Sequence, residues 1–157
     1  MLRKLLLTAV ILTSSAASAA PASKFLHDAI QGDNSESRLG QLIASRGSSD
    51  AVRSYGRTLH SDHSAARVQA AAVARRLHMS VPTSMMPVAR SEYAKLKHLR
   101  GAAFDREVKR YMNEDHRNDI SDFQEQVKSG QRHTAGLARA QLPVLRKHLR
   151  LAEALPG

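Results

Sequence analysis

The sequence predicts an all-α protein, a four-helix bundle with one long crossover that contains a short extra helix. Two observations predict it. Apolar residues recur at three- and four-residue spacing along four long segments, the period of a helix with one buried face. Ala, Leu and Arg dominate the composition, and all three are strong helix formers. No segment shows the strict apolar–polar alternation of a half-buried strand.

The elements follow in chain order. Residues 1–19 read as a secretory signal: Arg3 and Lys4 supply a positive start, Leu5 to Leu12 an apolar run, and Ala17-Ser18-Ala19 the small-x-small cleavage pattern. Residues 20–157 then form one domain, exported and expected in a periplasm, where it is soluble or envelope-associated. The first helix is expected over about Ser23 to Arg46, disturbed near Gly32-Asp33-Asn34, with Ser35 placed to restart it as an N-cap. Its inner stripe is Phe25, Ala29, Glu36, Leu39, Gly40 and Ile43. Gly47-Ser48-Ser49 closes that helix and caps the next.

The second helix is expected over about Asp50 to His78, with the stripe Val52, Tyr55, Leu59, His63, Ala66, Ala70, Val73 and Leu77. Two prolines between Val81 and Pro87 make a connector through which no long helix runs. Met85-Met86 within it reads as an apolar plug, with a soft copper contact as the alternative. A short helix follows over about Ser91 to Leu99, and a long one over about Ala102 to Ser129. The last helix, about Thr134 to Ala154, carries Leu137, Gln141, Val144, His148, Leu151 and Leu155, and Pro143 suggests a kink one turn before His148. Four long helices, two tight connections and one long central connection make the wiring of ferritin-like bundles.

Four potential metal ligands interrupt the apolar stripes: Glu36, His63, His116 and His148. Counted from the two tight turns at 1.5 Å per residue, their levels differ by only about 3–5 Å within each hairpin. His116 lies nearer the edge of its stripe, and Asp115 and Asp119 compete with it for the inward direction. Imidazole and carboxylate together suit one divalent transition metal: zinc, iron, copper or manganese. Asp62, Asp105 and Asp115 are candidate partners that would orient the imidazoles. His60, three residues before His63, is a candidate extra ligand. The bland alternative is a hydrogen-bonded polar core with no metal. His27, His78, His98 and His133 fall on polar faces or at helix ends and read as solvated.

Carboxylate-bridged di-iron bundles carry Glu-x-x-His on two helices, and this motif occurs nowhere in the sequence. That argues against a ferroxidase or oxygenase, and no catalytic residue is assigned. There is no Gly-rich phosphate loop and no Ser-His-Asp pattern that singles itself out. The chain contains no cysteine, so an exported protein of this kind relies on its core or on a metal, not on disulfides.

The formal net charge is +10, and +8 without Arg3 and Lys4. Export and a 4% aromatic content argue against nucleic acid as a partner. Anionic envelope surfaces or an acidic protein are the natural counterparts of the basic charge. The bland reading is that these residues keep an Ala-rich bundle soluble.

An ordered set of short pieces resembles the family called domain of unknown function 4142. The pieces are Phe25 to Glu36, Glu36-x-x-Leu39-Gly40, Asp62-His63, Gly101-x-x-Phe104-Asp105, Glu114-Asp115-His116 and Leu142-Pro143-x-x-x-x-His148-Leu149. The resemblance spans the whole mature chain. It implies a ferritin-like fold, and its motif positions coincide with Glu36, His63, His116 and His148. It implies no particular activity. His60 departs from the pattern, which has an apolar residue there.

Overall fold

The computed structural model describes residues 21–156. The proposed signal segment, residues 1–19, lies outside the described residues. Five helices follow in order: α1 (Ala22–Arg46), α2 (Asp50–Arg76), α3 (Pro87–His98), α4 (Gly101–Lys128) and α5 (Arg132–Glu153). All four long helices predicted from periodicity are present. The short one starts four residues earlier than expected, because Pro87 takes the first-turn position where a missing N–H costs nothing.

Two apolar clusters fix the helix directions. One joins Phe25 and Ile30 near the start of α1 to Val73 at the end of α2, Phe123 at the end of α4 and Leu137 at the start of α5. Phe25 and Phe123 meet edge to face with ring centroids 5.0 Å apart. The other cluster joins Ile43, Val52, Phe104 and Ala152 from the opposite helix ends, with Leu96 of α3 and Met85 of the connector. Helices α1 and α5 therefore run one way, and α2 and α4 the other. The segment from α2 to α4 has to travel the length of the bundle, and α3 lies along that path. This is the ferritin-like wiring expected from loop lengths. Met85 is buried in the second cluster, as an apolar plug would be.

The expected disturbance of the first helix does not occur: α1 is continuous through Gly32-Asp33-Asn34. These polar residues look like a break but serve as ties. The Asn34 side-chain amide donates to the Pro82 and Ser84 carbonyls at 3.0 and 3.2 Å. The Ser35 hydroxyl bonds back to the Gln31 carbonyl at 2.7 Å, so it does not cap a new helix, and it accepts from the Met86 N–H at 2.9 Å. The crossover is thus laced to the middle of α1. Helix α5 likewise runs on through Pro143.

Glycines set the spacing of α1 and α2. A Cβ on Gly56 would stand 2.3 Å from the Ala44 nitrogen, and one on Gly40 would stand 2.7 Å from the Gly56 carbonyl oxygen. The two backbones touch here because neither position carries a side chain. Between the two apolar clusters, at mid-bundle, lies a layer of buried polar residues.

A buried tri-histidine cluster

The middle of the bundle brings three imidazoles together. His63 comes from α2, His116 from α4 and His148 from α5, at 4%, 0% and 0% exposure. Their ring centroids form a triangle with sides of 5.0, 5.3 and 5.9 Å. One potential ligand nitrogen from each lies within 4.8 Å of the other two. Metal–nitrogen bonds of about 2.0–2.1 Å in tetrahedral array would put three imidazole centroids about 5.2 Å apart and their nitrogens about 3.4 Å apart. The centroid triangle already has that size.

Each imidazole uses one nitrogen on the protein and leaves the other bare. His116 Nδ1 donates to the Met112 carbonyl at 3.0 Å, which fixes its proton there and leaves the Nε2 lone pair. His148 Nε2 lies 2.9 Å from Asp62 Oδ2. Burial works against the Asp62 charge, but Lys147 at 2.5 Å and His148 outweigh it and hold the carboxyl below its ordinary range. Asp62 is therefore an acceptor, His148 keeps its proton on Nε2, and Nδ1 is the bare atom. His63 Nδ1 lies 3.0 Å from Asp33 Oδ1, on a carboxyl whose pKa burial raises well above the ordinary range while Arg67 draws it down; with the His63 proton on Nδ1, Nε2 is bare. His63 Nε2, His116 Nε2 and His148 Nδ1 are all buried without a hydrogen-bond partner. An orphaned buried nitrogen costs about 1–3 kcal/mol, and three in one cluster make this layer expensive without an occupant. Histidines that bind metals show the same arrangement, one ring N–H held by a carboxylate or carbonyl and the other nitrogen free.

Burial also keeps these rings neutral. It lowers the pKa of His63 to about 4, and with His63 close by it lowers His116 to about 3 and His148 to about 4. Neutral imidazole is the form that offers a lone pair.

The remaining sequence candidates separate. Glu36 does not join the three histidines. It is grouped with Asp115 and His116, each offering an atom within 4.8 Å of the others. Burial, then the charges of Asp115 and Asp119, raise its pKa well above the carboxylate range. The Tyr55 and Tyr111 hydroxyls, raised by burial and by this carboxylate pair, are buried beside it. His116 faces inward and stands between the two groups; Asp115 and Asp119 are half-buried. Asp62 bonds His148 Nε2 from the neighbouring helix α2.

Asp105 lies elsewhere. Its carboxylate accepts from the Ser48 N–H at 2.9 Å, the Ser48 hydroxyl at 2.6 Å and the Ser49 N–H at 3.2 Å, tying α4 to the α1–α2 turn. His60 is also engaged elsewhere. Its Nδ1 lies 2.9 Å from the Ser37 hydroxyl, and its Nε2 lies 3.5 Å from the Gln41 amide. One residue that sequence reasoning missed is Asp33. The available signal was its spacing: three residues before Glu36, it shares that face of α1.

A cavity of about 930 Å³ opens beside the cluster and reaches His63, Asp33 and Asp62. Among the described residues, no helix is long and apolar enough to cross a membrane.

The family model described as "Domain of unknown function (DUF4142)" matches residues 11–155. Among solved structures, the chain is similar to a DUF305 fragment from Deinococcus radiodurans. The TM-score is 0.74 at 20% identity, over 87% of this chain and 95% of that one. At that identity the likeness speaks for the helical fold alone. No curated protein matches the sequence.

Proposed function

We infer that this chain, which belongs to the family of domain of unknown function DUF4142, is an exported bundle protein that holds one divalent transition metal. His63, His116 and His148 are its ligands. The observation that carries this reading is the set of three bare, buried imidazole nitrogens, each on a ring whose other nitrogen is held by protein. Glu36 stands apart with Asp115 and His116, so the three histidines leave the fourth position of a tetrahedral site open. Three neutral imidazoles favour zinc or copper over manganese, with iron between them. The role is metal handling or protection of the envelope from metal stress, not catalysis. The leader-like start of the sequence supports a periplasmic location.

The test is elemental analysis of untagged protein offered zinc, copper, iron and manganese in turn. About one equivalent of one metal is expected, falling to background in His63→Ala. Uptake below about a tenth of an equivalent of every metal would refute the reading.

A second reading rests on the charge distribution. Six carboxylates of a chain with 14 acidic residues face the cavity, so the outer surface is more basic than the net charge of +10 suggests. Such a surface suits anionic lipid or an acidic protein. It predicts vesicle binding that weakens with salt and survives His63→Ala; binding indifferent to salt would count against it.

A further inference from the structure

A protein of net charge +10 repels small cations at a distance. Neutral imidazoles offer no long-range attraction to compensate. The cavity beside the cluster reverses this balance locally. Asp28, Asp33, Asp62, Asp119, Asp122 and Glu125 line it, and Lys24 is the one lysine or arginine of the lining, with Lys147 and Lys128 reaching Asp62 and Glu125 from outside it. Lys24 is itself paired with Asp28. From this placement we propose that the cavity is a cation antechamber: its carboxylates gather a divalent metal ion from solvent and deliver it past Asp33 to His63. This proposal rests on the metal-binding reading above.

The acidic groups are graded in depth, and burial raises the pKa of Asp33 and Asp119 well above the carboxylate range. Asp122 is exposed, Asp119 half-buried and Asp33 only 5% exposed. At the floor, Asp33 Oδ1 holds His63 while Asp33 Oδ2 is buried and has no partner. His63, also in the lining, leaves Nε2 unpartnered. Asp62, on the same wall, holds His148. Two of the three ligand histidines are thus touched by carboxylates of the cavity wall. Phe25, Phe123 and Leu145 supply apolar wall between the acids, and walls of low dielectric focus the field of the carboxylates onto the space they enclose. Size fits as well. At about 30 Å³ per water, an ion with six waters needs roughly 200 Å³, so the 930 Å³ cavity admits it with its shell intact. The unpartnered Asp33 oxygen stands where that shell is first exchanged for protein oxygen.

The experiment measures association and dissociation of Co²⁺ with the full mature chain by stopped-flow absorption, across ionic strengths. The variant Asp119→Asn/Asp122→Asn/Glu125→Gln replaces three antechamber acids by amides and leaves every histidine and its holding group in place. The control Asp50→Asn/Glu114→Gln/Glu153→Gln removes three exposed charges that lie outside the cavity lining. The association rate should fall about tenfold or more at low salt in the first variant, with its salt dependence flattened. Dissociation should change less than about twofold, and the control should match the parent in both rates. An unchanged association rate in the first variant overturns the proposal, as does an equal loss in the control, which would show that net charge alone matters. If the parent takes up no Co²⁺ at equilibrium, or keeps the same signal in His63→Ala, the metal-binding reading itself fails and the antechamber falls with it.

Discussion

Replacing His116 with leucine separates the stability of the bundle from its proposed use. His116 is fully buried, and its Nε2 has no partner. Its other nitrogen bonds the Met112 carbonyl, which already accepts the helical N–H one turn on, so losing the imidazole orphans nothing. Removing an unmet buried nitrogen should return about 1–3 kcal/mol, less up to about 1.5 kcal/mol for imperfect shape. The net expectation is a gain of about 1 kcal/mol in the metal-free protein, or roughly 3–5 °C in Tm for a chain of this size. With metal at a hundred times its Kd, the parent should gain about 2.7 kcal/mol and the variant nothing, so the order of stabilities reverses. Thermal unfolding in chelator, then in excess zinc, followed by circular dichroism, reads both halves. If His116→Leu is less stable than the parent in chelator, the bare nitrogen does not carry the cost argued for it. If the variant is still raised by zinc as much as the parent, the cluster is not where zinc binds.

Three further outcomes follow from the same geometry. Gly56→Ala should cost about 1–3 kcal/mol in urea unfolding, because its methyl would meet the Ala44 backbone at 2.3 Å and α1 and α2 would have to part; a neutral result would mean that the helices are not seated this closely. Asp62→Asn should weaken metal affinity by about 10- to 100-fold through loss of the anchor on His148, read by competition with a chelating dye, and unaltered affinity would remove Asp62 from the site. In metal-free protein the three histidines, with pKa values of about 3–4 against about 6.5 unfolded, bind fewer protons folded than unfolded. Their contribution to stability is therefore present above about pH 6.5 and is lost as pH falls toward 4. Glu36, raised by burial and then by Asp115 and Asp119, acts oppositely, binding a proton in the folded state above about pH 4.5 where the unfolded chain does not. Glu36→Gln should then show a steeper loss of Tm than the parent between pH 6.5 and 4.5, and parallel curves would contradict this assignment.

The helices were legible because their signals are local. A stripe such as Val52, Tyr55, Leu59 and His63 repeats at the period of the backbone itself, and Gly47-Ser48-Ser49 marks a turn by residue chemistry alone. Loop lengths then set the wiring, since only the connector between α2 and α4 is long enough to run the length of the bundle. The apparent break at Gly32-Asp33-Asn34 misled for the complementary reason. Its polar residues bond the crossover and His63, partners 30 to about 50 positions away that no local pattern contains.

Sequence by itself placed Glu36, His63 and His148 on inward stripes at one level and put His116 at the same height, because helical rise is fixed by residue spacing; it left the inward direction open among His116, Asp115 and Asp119. Tertiary structure alone decided who keeps company there. It joined Asp33 and Asp62 to the histidines, set Glu36 apart with Asp115, and sent Asp105 and His60 to other tasks. Spacing gives height and direction along each axis. Coordination depends on ångström differences in how four axes pack, and those are set by contacts such as Gly40 against Gly56, which no single helix encodes.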